Sequence, residues 1–238
     1  MSKPIARRSA LGAGGAALAA GVLTAGATAA ADATAADASP KKIKILAICG
    51  SPRKGKTTSA GLRIALESAK AVAPDRIDVE LIELGGRRID GSVAAGIAPE
   101  PGQRDDFPPL LPKITAADVA GIIVGSPVYF GDMSSLLKAF FERCSSLRSS
   151  FGWSNKVGGV LAVASARNGG QEQTIRSIQM VMFGQEMILV GDGRPTAPSG
   201  ATLWTNGKDD ISGDAPGVAT AKNLGRRVAE VALRVHGR

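Results

Sequence analysis

Apolar positions in this chain follow two periods that alternate along its length. Ile43 to Cys49 is a near-continuous apolar run, as a strand buried on both faces requires, and it stops abruptly at Gly50-Ser51-Pro52-Arg53-Lys54-Gly55. From Lys56 a helical spacing takes over, with Leu62, Ala65, Leu66 and Ala69 on one face, and Pro74 closes it. Ile77 to Leu84 reads as a second strand with Val79, Leu81 and Leu84 facing one way. Gly85 to Pro109 has no period and is heavy in Gly, Pro and charge, so it is expected to be an excursion from the sheet edge. A short helix over Leu110 to Ala117 precedes the apolar run Val119 to Val124, a central strand that exits into Gly125-Ser126-Pro127-Val128-Tyr129-Phe130-Gly131. Helical spacing resumes from Met133 to Cys144, and Ser145 to Asn155 reads as a surface loop with Phe151 and Trp153 at its tips. Val157 to Ser165 is the fourth strand, with a glycine-rich exit at Ala166 to Gly170. A helix from Gln171 to Phe183, a strand from Met187 to Val190, a long loop from Thr196 to Gly213 holding Trp204, and a helix from Pro216 to Val235 complete the chain.

This alternation predicts a three-layer α/β domain over residues 43–238, with five parallel strands. For the order 2-1-3-4-5, ligands bind at the carboxyl ends of the strands, between the first and the third. That brings Gly50 to Thr58 beside Ser126 to Gly131, with Ala166 to Gly170 completing the rim. The first of these segments is a strand, a turn and a helix start, which leaves backbone N–H groups unpaired at the positive end of a helix dipole. Ser51, Thr57 and Thr58 add hydroxyls there, and Arg53, Lys54 and Lys56 add charge, so an anion, above all a phosphate, is expected. Gly50 to Thr57 also satisfies the nucleotide P-loop pattern G-x-x-x-x-G-K-[ST] letter for letter. A P-loop enzyme needs an acidic strand end to hold magnesium, however, and only Asp192, on the expected far edge of the sheet, offers one.

Residues before the domain have a different character. Lys3, Arg7 and Arg8 precede an uncharged Ala/Gly-rich run from Ala10 to Ala31, with small-residue cleavage sites near Ala29 and Ala31. Arg7-Arg8-Ser9 resembles a bacterial twin-arginine signal, although alanine stands where a bulky residue is usual. Residues 1–31 are therefore expected to be a cleaved export signal and 32–42 a linker, giving an exported, periplasmic protein with no stable membrane span after cleavage. Removing the signal lowers the formal net charge from +8 to +5. That is basic without long charge runs or aromatic–basic interleaving, so no nucleic-acid partner is expected and the surplus suits small anions.

Other chemistries find little support. His236, the single histidine, is expected to be a solvated residue at a helix end, which leaves no Ser–His–Asp arrangement, and no His/Cys/Asp/Glu cluster has metal-ligand spacing. Asp105 and Asp106 read as a helix start, where the dipole favours them. Cys49 ends a strand, while Cys144 ends a helix running back from that same edge by roughly 16 Å. Both are expected to be buried, unpaired thiols.

Four segments together resemble the flavodoxin-like NAD(P)H-dependent FMN reductase family, close to its multimeric flavodoxin and iron–sulfur flavoprotein branches: GSPRKGKT at 50–57, GSPVYFGDMSSLLKAFFER at 125–143, GGQE at 169–172 and NLGRRVAEVA at 223–232. The resemblance implies FMN as cofactor, with Ser51, Arg53, Lys56, Thr57 and Thr58 holding its phosphate. Pro127, Val128, Tyr129, Phe130 and Gly131 would lie along the isoalloxazine, and Ser165, Arg167, Asn168 and Gly169 would close over its pyrimidine side. It implies NADPH or NADH as co-substrate, a small electron acceptor such as a quinone or free flavin, and a homodimer or homotetramer. No catalytic side chain is needed, because the flavin carries the chemistry. Iron–sulfur relatives carry a cysteine cluster after the second strand, whereas Gly85 to Pro109 has no cysteine, so no cluster and no metal is expected. A flavodoxin-type carrier without nicotinamide activity and a P-loop hydrolase are the competing readings.

Overall fold

A computed structural model describes residues 41–237, so the expected export signal, residues 1–31, and nearly all of the linker lie outside the described residues. The elements are β1 (Ile43–Cys49), α1 (Thr57–Val72), β2 (Ile77–Glu83), α2 (Leu111–Ile114), β3 (Val119–Pro127), α3 (Ser135–Arg143), α4 (Ser145–Ser149), β4 (Val157–Ala164), α5 (Gln171–Phe183), β5 (Ile188–Leu189), β6 (Ala201–Trp204) and α6 (Ala215–His236). The strands form one parallel sheet in the order β2-β1-β3-β4-β5, with β6 also paired to β4. Every crossover therefore carries a helix to one face or the other, which is the flavodoxin-like arrangement.

The two faces explain the apolar runs. On β1, Leu46 and Ile48 point into a core shared with Leu137, Phe140 and Ile178, while Ile45, Ala47 and Cys49 point into a second core with Leu62, Leu224 and Val228. With both faces covered, the central strands need no polar alternation.

Four local expectations are corrected. Trp153 is not a loop tip: it is fully buried, its indole N–H donates to the carbonyl of Ile114 at 3.0 Å, and its ring meets Phe140 and Phe141. The polar residues around it belong to a short helix and turn that deliver it inward, and only Phe151 stays exposed. Leu84 faces opposite to Val79 and Leu81, as the period of two demands across that odd spacing, and joins the first core. Ala201–Trp204, inside the expected long loop, is a sixth strand that pairs with Leu161 to Ala164, whereas β5 pairs only with Val157 and Gly158. The last sheet position is thus filled by two short strands in succession. His236 is half-buried rather than freely solvated, with its Nε2 2.9 Å from the carbonyl of Asn155.

The excursion between β2 and β3 is anchored. Two 3₁₀ turns, Gly91–Ala95 and Pro108–Leu110, punctuate it, and Ile89, Phe107 and Leu110 enter the first core. Asp105 does not begin a helix: it accepts from the Phe107 N–H at 3.1 Å and from both guanidinium nitrogens of Arg143, at 3.1 and 2.7 Å. Asp106 accepts from the Arg88 N–H and pairs with Arg104.

Candidate functional site

Four segments meet at the carboxyl edge of the sheet around β1 and β3. The β1–α1 turn begins at Gly50, whose N–H bonds the Gly125 carbonyl at 2.7 Å and so ties the first turn to the exit of β3. Ser51 is buried and accepts from the Arg53 N–H at 3.1 Å, folding the turn back on itself. Thr57 and Thr58 are buried at the start of α1, whose N-terminal residue Lys56 is extended and supplies no side-chain cap. The free N–H groups and positive dipole end of a helix of sixteen residues therefore face the turn. Gly85 is what lets the β2 exit approach: a Cβ there would sit 2.9 Å from the Ser51 carbonyl oxygen and 3.0 Å from the Lys54 nitrogen. The Glu83 carboxylate caps the Gly55 N–H at 3.0 Å from the same side.

Residues 127–131 form the second segment. Tyr129 and Asp132 exchange backbone hydrogen bonds of 2.9 and 3.1 Å across a tight turn, with φ of +52° at Phe130 and +79° at Gly131. Phe130 thus occupies a left-handed position that costs a bulky residue energy, and its ring is fully exposed beside a half-exposed Tyr129. An aromatic held in that way at the mouth of a ligand site is positioned for contact with something outside its own core.

The third segment, Ser165 to Gly170, abuts the second: a Cβ on Gly170 would lie 3.2 Å from the Gly131 Cα and 3.4 Å from Val128 Cγ1. Ser165 and Asn168 are exposed at the rim. Arg167 turns toward α6, where its guanidinium pairs with Asp214 at 2.6 Å and stacks 4.7 Å from the centre of the Trp204 ring.

Several residues that complete the site were not singled out from the sequence. Ser134 caps α3 by accepting from the Leu137 N–H at 3.1 Å, donates its hydroxyl to the Gly50 carbonyl at 2.5 Å, and donates its own N–H to the Ser126 hydroxyl oxygen at 3.1 Å. It clips the first and second segments together, and a serine at a helix start is the signal that could have marked it. Buried Gln171 accepts from the Gly169 N–H at 2.9 Å and donates to the carbonyls of Ala166 and Leu203, so it fixes the third segment to β6. The fourth segment, residues 205–213, runs from β6 across Ala164 and Ser165, whose carbonyls accept from the N–H groups of Thr205 and Gly207. It delivers Asp209 to the phosphate turn, where one oxygen lies 2.6 Å from Arg53 Nη1 and the other 3.3 Å from Lys56 Nζ. Those two cations, led by Arg53, hold the Asp209 carboxyl below its usual pKa. No sequence pattern announces an acid at that distance.

Neither cysteine among the described residues offers a nucleophile. Burial pushes the Cys49 thiol up to about 11 and the Cys144 thiol higher still, so both stay protonated. The residues present do fit an FMN phosphate: buried hydroxyls, an uncapped helix start and two cations converge on one turn.

Comparison with known proteins gives the same class. Residues 43–202 match the family described as NADPH-dependent FMN reductase. An iron-sulfur flavoprotein of Methanocaldococcus jannaschii is 41% identical over 192 residues, covering 79% of this chain and 97% of that protein. An NAD(P)H dehydrogenase (quinone) of Caulobacter vibrioides is 30% identical over 145 residues, covering 56% of this chain and 73% of the relative. Among solved structures, a WrbA-like flavodoxin from Agrobacterium tumefaciens superposes with a TM-score of 0.55 over 82% of this chain and 99% of its own, at 18% identity, which speaks for the fold. The anion cradle at the switch point of a flavodoxin-like sheet and the match across residues 43–202 agree, and the chain belongs to the NADPH-dependent FMN reductase family of oxidoreductases.

Proposed function

We propose that this protein binds FMN at the β1–α1 turn, oxidises NADPH or NADH, and passes the reducing equivalents to a small acceptor such as a quinone or free flavin. The observation that carries the reading is the convergence of buried Ser51, Thr57 and Thr58, the uncapped start of α1, and Arg53 and Lys56 at the one place where this sheet order opens a crevice. Bound FMN would supply the redox-active ring. The chain's part is to hold the phosphate, seat the ring along residues 127–131 with 165–169 at its pyrimidine side, and shield it with Tyr129 and Phe130. Its two cysteines are buried and too few to ligate a cluster, so the reading includes no iron–sulfur centre. It also places the protein in the periplasm after twin-arginine export, in an assembly of two or four copies.

The purified protein, reconstituted with FMN, is expected to show a flavin visible spectrum and steady-state NADPH or NADH oxidation with a quinone. A protein that binds no FMN would sink the proposal. A flavin spectrum without any nicotinamide oxidation would favour the carrier reading, for which the exposed Phe130 at the rim is the supporting observation. The hydrolase reading is disfavoured, since β3 and β4 exit through Ser126-Pro127 and Ser165-Ala166, Asp192 is fully buried beside β5, and the two acids at the turn, Glu83 and Asp209, are engaged by the Gly55 N–H and by Arg53 and Lys56.

A further inference from the structure

Beside the phosphate turn, on the side away from residues 127–131, the free edge of β2 borders a cavity of about 630 Å³. Its volume is in the range of sites that enclose small molecules. Five cations line it, Lys54, Arg63, Arg87, Arg104 and Lys113, against two carboxylates, Glu80 and Glu83. The carboxylates are already engaged: Glu80 pairs with Lys113 at 2.8 Å, and Glu83 accepts from the Gly55 N–H at 3.0 Å. Arg104 pairs with Asp106. Lys54, Arg63 and Arg87 have no carboxylate within ion-pair distance among the described residues, so three unpaired cations line one concavity against the single unpaired carboxylate of Glu83, whose carbonyl accepts from the Arg87 Nε at 2.8 Å. A solvated face would spread or pair such charges. The floor is different in kind: Leu81 is half-buried there over the core residues Ile82 and Leu110, and exposed Gly86 has open space where a side chain would stand.

We propose that this cavity is a second ligand site, for a nucleoside diphosphate moiety. The two arginines present planar forks that match phosphate oxygens, Lys54 adds a point charge, and the part beside Leu81 and Gly86 takes the base. Because Lys54 and Gly85 also form the outer wall of the phosphate turn, occupancy here touches the FMN site from behind. The same moiety could arrive as a free nucleotide or as the ADP half of a nicotinamide dinucleotide.

The test is calorimetric titration of ADP into the protein saturated with FMN, with flavin release followed by fluorescence. Expected are saturable one-to-one binding without FMN release, a loss of roughly tenfold in affinity for each of Arg63→Gln and Arg87→Gln, and no change for Lys222→Gln on the outer face of α6. Absence of saturable binding, displacement of FMN by ADP, or an equal loss in Lys222→Gln would each overturn the site. Competition between ADP and NADH in turnover assigns the moiety to the nicotinamide co-substrate, and binding without competition assigns it to a free nucleotide. The site's failure is separable from that of the flavin reading, since FMN binding is read in the same samples.

Discussion

Lys56 and Asp209 have opposite effects on the same anion. Lys56→Ala removes a cation from the phosphate turn and is expected to weaken FMN binding by roughly 1–2 kcal/mol, while turnover at saturating FMN survives. Asp209→Asn removes the carboxylate that now spans Arg53 and Lys56 and is expected to tighten FMN binding several-fold, because a phosphate then no longer faces a like charge. Fluorescence titration of FMN into the two variants checks both signs at once. A weaker Asp209→Asn complex would mean that the acid orients the cations rather than competing for them. The P-loop match at Gly50 to Thr57 illustrates the same scale: the letters are those of a nucleotide hydrolase, yet neither β3 nor β4 ends in an acid, and the acids that reach the turn are engaged, Glu83 at the end of β2 by the Gly55 N–H and Asp209 by Arg53 and Lys56.

At the scale of elements, the excursion between β2 and β3 is held to α3 through Asp105 and Arg143, with the guanidinium also 4.7 Å above the Phe107 ring. The Arg143 hydrogen bonds are the main reason why the Asp105 carboxyl lies below its usual pKa. A carboxyl depressed in the folded state stabilises above its unfolded value, near 4, and loses that contribution as pH falls through the lower folded value. Asp105→Asn is therefore expected to cost about 1–3 kcal/mol at neutral pH and progressively less as the solution is acidified below about pH 4. Urea denaturation of both proteins across that range measures the gap, and a gap that stays constant would remove the ion pair as its cause. This tie was not legible in the sequence, because Asp105 and Arg143 are 38 residues apart and the local pattern at Asp105-Asp106-Phe107-Pro108 suits a helix start equally well. Trp153 failed for a related reason: its neighbours are polar, and only the gap beneath α3 and beside Ile114 decides that an indole belongs inside.

For the whole molecule, the proposed route of export concerns the chain before the domain. A noncovalent flavin loaded before export requires a route for folded cargo, so Arg7→Lys with Arg8→Lys is expected to leave the precursor in the cytoplasm. Fractionation and immunodetection of the double mutant checks it, and unchanged export would remove the main support for a periplasmic location. No helix among the described residues is long and apolar enough to cross a membrane.

What the sequence determined by itself is the layered fold and the place of the candidate site. Apolar runs of strand length at 43–49, 119–124 and 157–164 can be buried only in a sheet covered on both faces, and helical spacing between them forces parallel crossovers. A strand, a glycine-bounded basic turn and a helix start are local and adjacent, so the phosphate cradle is written in consecutive residues. What tertiary structure alone decided is everything that joins segments distant in the chain: Ser134 clipping Gly50, Gln171 fixing Gly169 to β6, Arg167 drawn to Asp214, and Asp209 carried from the β6–α6 loop to Arg53. The four residues of β6 are too short a run to announce a strand, and they become one because β5 leaves the outer half of β4 with unpaired backbone groups that must be satisfied.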